Sequence, residues 1–192
     1  MGFRLIKENN PVNEEQKVSF PVKLIASGLF SGYIPFASGT FGSLVGMLVY
    51  LIPGFSHIGV IGLAVLIGFA AGVPLSQMMM KRNGDDPPEV VIDEIVGLWF
   101  SYLISYLVFA VFLQAKTYDP DMEFFTKLLF AVIGFLIFRV FDIIKLQPAK
   151  YFDDVRSGYG IMLDDIVSGF YSGILSAIVT HFLWYRLFVR II

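Results

Sequence analysis

Residues 85–99 read DDPPEVVIDEIVGLW, and they set acidic groups and two prolines between two long apolar runs. Asp93 and Glu94 fall in the first turns of what reads as a membrane-spanning helix. Carboxylates are costly there and mark a functional site by default. Pro87 biases Asp86 away from helix, and Pro88 suits the first helical position, where its missing N–H costs nothing. A helix is therefore expected from Pro88, with Glu89 in its first turn beside the positive end of the dipole. Glu89 and Asp93, four apart, share a helix face, whereas Asp93 and Glu94 diverge by about 100°. Gly97 follows Asp93 by four residues and Glu94 by three, which predicts open space beside both carboxylates. The bland alternative is a solvated acidic loop that merely begins a helix.

Working outward, the 192 residues are 56% hydrophobic with 20 phenylalanines and a mean hydropathy of +0.73. That composition belongs to a single membrane domain rather than a soluble core. The net charge of −2 says nothing about partners, and no nucleic acid is expected. With no cysteine, disulfides, thiolate zinc sites and cysteine nucleophiles are excluded. Only His57 and His181 are present, both at the edges of apolar runs, which disfavours a histidine metal site or a Ser-His-Asp hydrolase. Both read as interfacial polar residues.

Residues 1–20 are polar, lack a signal-peptide core, and read as a flexible or surface-lying cytoplasmic arm. Residues 21–192 read as one all-α, membrane-embedded helical bundle with about four to five spans. Its first apolar region, Leu24–Ile52, is interrupted by SGYIPFASGTFGS, so a broken or re-entrant N-terminal helix is expected, with a loop over Pro35–Thr40 and a helix from Phe41. Further runs follow from His57 to Met80, with Pro74 as an expected kink, then Ile95–Leu113, Thr126–Ile144 and Ile166–Tyr185. Basic residues gather in the arm, at Lys81 and Arg82, and from Arg139 to Arg156. The loops at 54–57 and 115–124 hold only Lys116. The positive-inside tendency then puts the arm, the acidic stretch and residues 139–165 on the cytoplasmic side, with Arg186 and Arg190 as the exception.

Three polar constellations meet on that side. Asp86, Glu89, Asp93 and Glu94 form the first. In FRVFDIIK, Arg139, Asp142 and Lys145 recur every three residues on one helix face, either as a self-neutralising structural set or as an anion pocket around a metal ligand. In GYGIMLDDIVSGFYSGILSA, Asp165, Gly169, Gly173 and Ala177 recur every four, as do Asp164, Ser168, Ser172 and Ser176. Small residues at that spacing let helices approach closely; the alternative is an N-cap aspartate on an ordinary packing face. Carboxylates without histidine or cysteine favour a hard, oxygen-ligated cation, Mg²⁺ above all. Arg139 and Lys145 then suit phosphate. The stretch Ser38-Gly39-Thr40-Phe41-Gly42-Ser43 reads as a glycine-rich loop before a helix, offering backbone N–H groups to an anion with Thr40 or Ser43 as cap.

Taken in order, PFASGTFGSLVG, the segment from Asp86 to Trp99, FRVFDIIK and GYGIMLDDIVSG resemble the phosphatidylglycerophosphatase A family over about Ile34–Gly173. The resemblance implies Mg²⁺-dependent hydrolysis of phosphatidylglycerol phosphate to phosphatidylglycerol and inorganic phosphate at the bacterial inner membrane, with the active site facing the cytoplasm. It maps the family's acidic motifs onto Asp86, Asp93, Glu94, Asp142, Asp164 and Asp165 as metal ligands. Of these, Asp93, Glu94, Asp165 and Asp142 are the catalytic candidates. Gly39, Thr40, Ser43, Arg139 and Lys145 map onto its substrate-binding positions. Two departures stand out: Leu146 replaces the first proline of a Lys-Pro-x-Pro pattern, and Asp154 occupies a commonly basic position. A transporter or channel is the competing class, since broken helices and intramembrane acids also mark ion pathways. A transferase acting on nucleotide-activated lipids also uses clustered aspartates, but needs a denser aspartate-glycine motif within one helix.

Overall fold

The computed structural model describes residues 13, 15–85, 87–111 and 124–184. Among these residues the chain forms seven α-helices, one 3₁₀ turn and no strand. They are α1 (Phe20–Ala26), α2 (Ser38–Leu51), α3 (Ile58–Asn83), α4 (Ile92–Val111), α5 (Phe124–Ile144), α6 (Ala149–Asp153) and α7 (Gly158–Trp184). The all-α bundle expected from hydropathy is therefore present. Most of the expected arm lies outside the described residues. Its end is tied to α3, where the Asn13 backbone N–H donates to the Arg82 carbonyl.

The break in the first apolar region is built from backbone that reverses direction. Gly28, Leu29 and Phe30 all have left-handed φ, at +51°, +58° and +68°, before the 3₁₀ turn Ser31–Tyr33. For Leu and Phe that conformation costs on the order of 1 kcal/mol each, and it ends α1 after seven residues. Ala37, at φ +51°, makes the second reversal, and α2 starts directly after it. The helix thus begins three residues earlier than expected, and Ser38–Ser43 is helical rather than a loop. No side chain caps α2, so neither Thr40 nor Ser43 takes that role. With 14 residues, α2 is about 21 Å long, too short to cross a hydrocarbon core of about 30 Å alone.

Three helices, Ile58–Asn83, Ile92–Val111 and Gly158–Leu183, are long and apolar enough to cross a membrane. Exposed Leu63, Leu66 and Ile67 on α3, Leu136 and Val140 on α5, and Ile178 and Phe182 on α7 cover the outside, as expected of a lipid-facing belt. The chain is a membrane protein. Pro74 lies inside α3 without ending it, and α3 stops at Gly84, whose φ of +96° suits glycine alone, with Lys81 and Arg82 in the last turn.

Helix α4 is the axis of the bundle: α2, α3, α5 and α7 all pack on it, α7 most extensively. Parallel packing of α2 on α4 is fixed by the Trp99 indole N–H donating to the Gly46 carbonyl at 2.9 Å and by the Tyr50 and Tyr102 rings 4.2 Å apart. The Tyr102 hydroxyl donates to the Ala131 carbonyl of α5 at 2.7 Å, so this buried aromatic core leaves its polar atom satisfied. The small-residue stripe of α7 performs the expected packing. A Cβ at Gly173 would come within 2.6 Å of the Ser101 carbonyl oxygen. Ser105 donates to the Gly173 carbonyl at 2.7 Å, and Ser172 to Ser101 at 2.8 Å. Without a hydrophobic force between helices in lipid, such close approach and hydrogen bonding is what holds them together.

Candidate active site

The antiparallel alternation of α2 to α5, followed by α7 parallel to α4, gathers the start of α2, the end of α3, the start of α4, the end of α5 and the first turns of α7 at one end of the bundle. The acidic motifs occupy that end. Helix α4 begins at Ile92, not at Pro88, with Asp93 and Glu94 in its first turn. The Pro88–Glu89 pair forms a turn ahead of it, pressed against Gly32, where an added Cβ would strike the Glu89 carbonyl. Glu89 consequently shares no helix face with Asp93 and lines a separate pocket with Tyr33 and Ser38.

The space beside Gly97 is not open. A Cβ there would stand 2.8 Å from the Asp165 carbonyl oxygen and 2.9 Å from its Cβ, so the missing side chain admits α7 against α4. Gly169 completes the crossing, because its own Cβ would strike the Gly97 carbonyl. Asp165 is thereby set beside the first turn of α4. One carboxylate oxygen from each of Asp93, Glu94 and Asp165 lies within 4.8 Å of the others. Asp93 Oδ1, Glu94 Oε2 and Asp165 Oδ2 are buried with no hydrogen-bond donor, and Asp165 is only 2% exposed. Three carboxylates brought this close, each with one buried oxygen that no donor meets, repel each other and are stripped of water. A hard divalent cation satisfies that donor set, and the residues fit Mg²⁺.

Helix α7 starts at Gly158, well before Ile166, so Asp164 and Asp165 lie two turns inside it. The N-cap reading of Asp164 fails on that ground. Asp164 instead receives the Lys145 ammonium at 2.8 Å. Lys145 has left α5, its φ of +49° turning the chain so that the ammonium also reaches Asp153. Burial works to lower the pKa of Lys145, but the Asp164 and Asp153 carboxylates outweigh it and hold the ammonium above its ordinary value. Lys145 therefore stays charged throughout the neutral range. Arg139 pairs with Asp142 one turn along α5, so the self-neutralising reading describes that pair, while Lys145 is drawn off to α7.

Asp93, Glu94, Asp142, Asp164 and Asp165 line one cavity of about 500 Å³, together with Asp85, Asp153, Asp154, Lys145, Lys150 and Arg156. Arg156 pairs with Asp85, joining the α6–α7 and α3–α4 connections. Asp86 lies outside the described residues. Gly39, Thr40, Ser43 and Arg139 do not line the cavity. Gly39 is nonetheless packed against the site, since a Cβ there would strike Glu94 Oε1 and lie 3.1 Å from an Arg139 nitrogen. Buried Ser43 donates to the Gly39 carbonyl at 2.9 Å and accepts from Arg139 at 3.4 Å. Lys150, Asp153 and Arg156 were not singled out by sequence reasoning. Their signal lay in the charge-rich KLQPAKYFDDVR stretch, where the i,i+3 spacing of Lys150 and Asp153 marks a turn of helix.

Replacing Arg139 by Gln is expected to destabilise the protein by about 2 kcal/mol, because Asp142 keeps its burial and loses its charged partner. Thermal unfolding in detergent checks this, and adding Asp142→Asn should recover most of the loss.

The fold and the cavity define a helical membrane protein whose carboxylate-lined centre, flanked by cations, opens at one end of the bundle. Comparison with known proteins places it further. The family model for phosphatidylglycerophosphatase A matches residues 24–180, and the chain belongs to that family. It is 34% identical over 168 residues to phosphatidylglycerophosphatase A of Escherichia coli, covering 86% of this chain and 87% of that protein. The Haemophilus influenzae phosphatidylglycerophosphatase A is 31% identical over 175 residues, covering 88% and 93%. A Bacteroides thetaiotaomicron protein named "Putative phosphatidylinositol-3-phosphatase" is 30% identical over 168 residues, covering 85% and 96%. No solved structure gives a significant match. The chain is an enzyme of the phosphoric monoester hydrolase class, and a carrier function is not favoured.

Proposed function

We propose that the chain hydrolyses the terminal phosphomonoester of phosphatidylglycerol phosphate, releasing phosphatidylglycerol and inorganic phosphate, with Mg²⁺ held by Asp93, Glu94 and Asp165. The observation that carries the reading is the meeting of three carboxylates, each with a buried donorless oxygen, at the contact of α4 and α7 in a member of this family. When bound, Mg²⁺ supplies charge neutralisation at the phosphate oxygens and acidifies a coordinated water.

The chain's own groups do the rest. A carboxylate of the cluster accepts the proton of the attacking water. The water oxygen bonds to phosphorus in line as the bond from phosphorus to the glycerol oxygen breaks, and that oxygen takes back the proton held by the carboxylate and leaves as the headgroup hydroxyl. Lys145 offers its ammonium to the phosphate from the cavity wall, with Asp142 and Asp164 lining the same wall. Arg139, behind Asp142, orients that carboxylate. A covalent intermediate on Ser43 is disfavoured, because that hydroxyl is fully buried and already donates to Gly39. Thr40 lies outside the cavity lining.

The orientation follows from charge. Lys17, Lys23, Lys81, Arg82 and the residues from Arg139 to Arg156 share the end of the bundle that holds the cavity, while among the described residues the other end has only Lys127, buried against the Leu51 and Ile52 carbonyls. That asymmetry supports a cytoplasm-facing site in the bacterial inner membrane. The same cavity accepts the chemistry named for the Bacteroides relative, which also removes a monoester from a lipid headgroup. Purified protein should release phosphate from phosphatidylglycerol phosphate in vesicles, lose that activity in EDTA, and regain it with Mg²⁺. Full activity in EDTA would remove the metal from the reading. Faster release from phosphatidylinositol 3-phosphate would move the substrate.

A further inference from the structure

The cavity has a cation that the reaction as described does not use. Its lining carries three basic side chains, Lys145, Lys150 and Arg156. Lys145 is held by Asp164 and Asp153 and Arg156 by Asp85. Lys150, on α6, meets Asp153 at 3.7 Å, and its side chain is 56% exposed. It is three ion-pair links from the floor of the site, through Asp153 and Lys145 to Asp164. Along the same stretch of chain, Ile143 and Ile144 at the end of α5, Leu146 in the connection and Tyr151 on α6 are exposed. Apolar and aromatic side chains presented beside a lysine are the composition of a membrane–water interface, with the ammonium at headgroup depth. For a lipid whose chains stay in the bilayer and whose monoester reaches Asp165, that rim offers a cation at the depth of the bridging phosphodiester.

We infer that Lys150 binds the phosphodiester of the lipid, the group that substrate and product share, and so selects a two-phosphate lipid headgroup over an isolated phosphomonoester. This rests on the function proposed above. A carboxylate-rich cavity repels an anionic headgroup, and a cation not locked into a tight pair is the one that can turn to it at small cost. Exposure of the ammonium keeps the gain modest, and it acts on binding rather than on the chemical step.

The test is steady-state phosphate release from phosphatidylglycerol phosphate diluted in phosphatidylcholine vesicles, for wild type, Lys150→Ala and Lys150→Arg. Lys150→Ala should raise KM and the inhibition constant of phosphatidylglycerol roughly tenfold, the size of one charge-assisted contact. It should change kcat and the inhibition constant of inorganic phosphate less than about threefold, and Lys150→Arg should restore most of the loss. An unchanged KM overturns the inference, and so does an equal rise in the inhibition constants of phosphatidylglycerol and inorganic phosphate. If the wild type releases no phosphate from this lipid, the functional reading itself fails and this assignment falls with it.

Discussion

Asp165→Asn is expected to lower phosphate release by about a thousandfold or more, while the protein remains folded in detergent. The substitution keeps the shape of the side chain and removes one charge. Asp165 is nearly fully buried, and its Oδ2 has no donor, so no hydrogen bond to that oxygen is lost. Repulsion from Asp93 and Glu94 is relieved, and folding stability should hold or rise. Activity and stability therefore move in opposite directions, which a merely structural aspartate would not allow. Asp93→Asn should behave alike. Phosphate release set beside the thermal midpoint of each variant checks the prediction, and turnover near that of wild type would take the residue out of the site.

Gly97→Leu is expected to abolish activity and to destabilise the bundle by about 3 kcal/mol, the upper end for overpacking a close contact. The first added carbon already meets the Asp165 backbone and, at 3.0 Å, Phe138 of α5. The colliding atoms are backbone and a buried ring, neither of which can swing away. Helix α7 must then move off α4 and carry Asp165 with it, opening the carboxylate trio. Gly62, with nothing within 4 Å of the equivalent point, is the control: Gly62→Leu should leave both activity and the thermal midpoint near their wild-type values. Equal effects at the two positions would show that the α4–α7 crossing does not set the site.

The sequence exposed the bundle because apolar runs of span length, separated by charge, have one low-energy solution in lipid. It exposed the acidic residues because their cost inside such runs is high. It did not mark where the helices begin. Gly158 and Gly160 disfavour helix by propensity, yet α7 runs through both, because Gly158 packs against the Val73 carbonyl and Gly160 against that of Val155. Hydropathy falls at the membrane surface while the helix continues, so Asp164 read as a cap when it is an interior residue. The reverse holds for α4: Pro88 fits a first helical turn, but the chain there is held against Gly32, and the helix waits until Ile92. Partners distant in sequence were equally hidden. Arg156 and Asp85 are 71 residues apart, and Lys145 turns from its own helix stripe to α7 through a left-handed residue that no spacing rule anticipates.

The most direct test of the central claim, that α4 and α7 together build one divalent-cation site, is Mn²⁺ binding followed by electron paramagnetic resonance on purified protein. Wild type should show a saturable site that Mg²⁺ displaces, and Asp165→Asn should lose it while its helical circular dichroism stays unchanged. Equal Mn²⁺ binding by both proteins, or none by the wild type, would contradict the account.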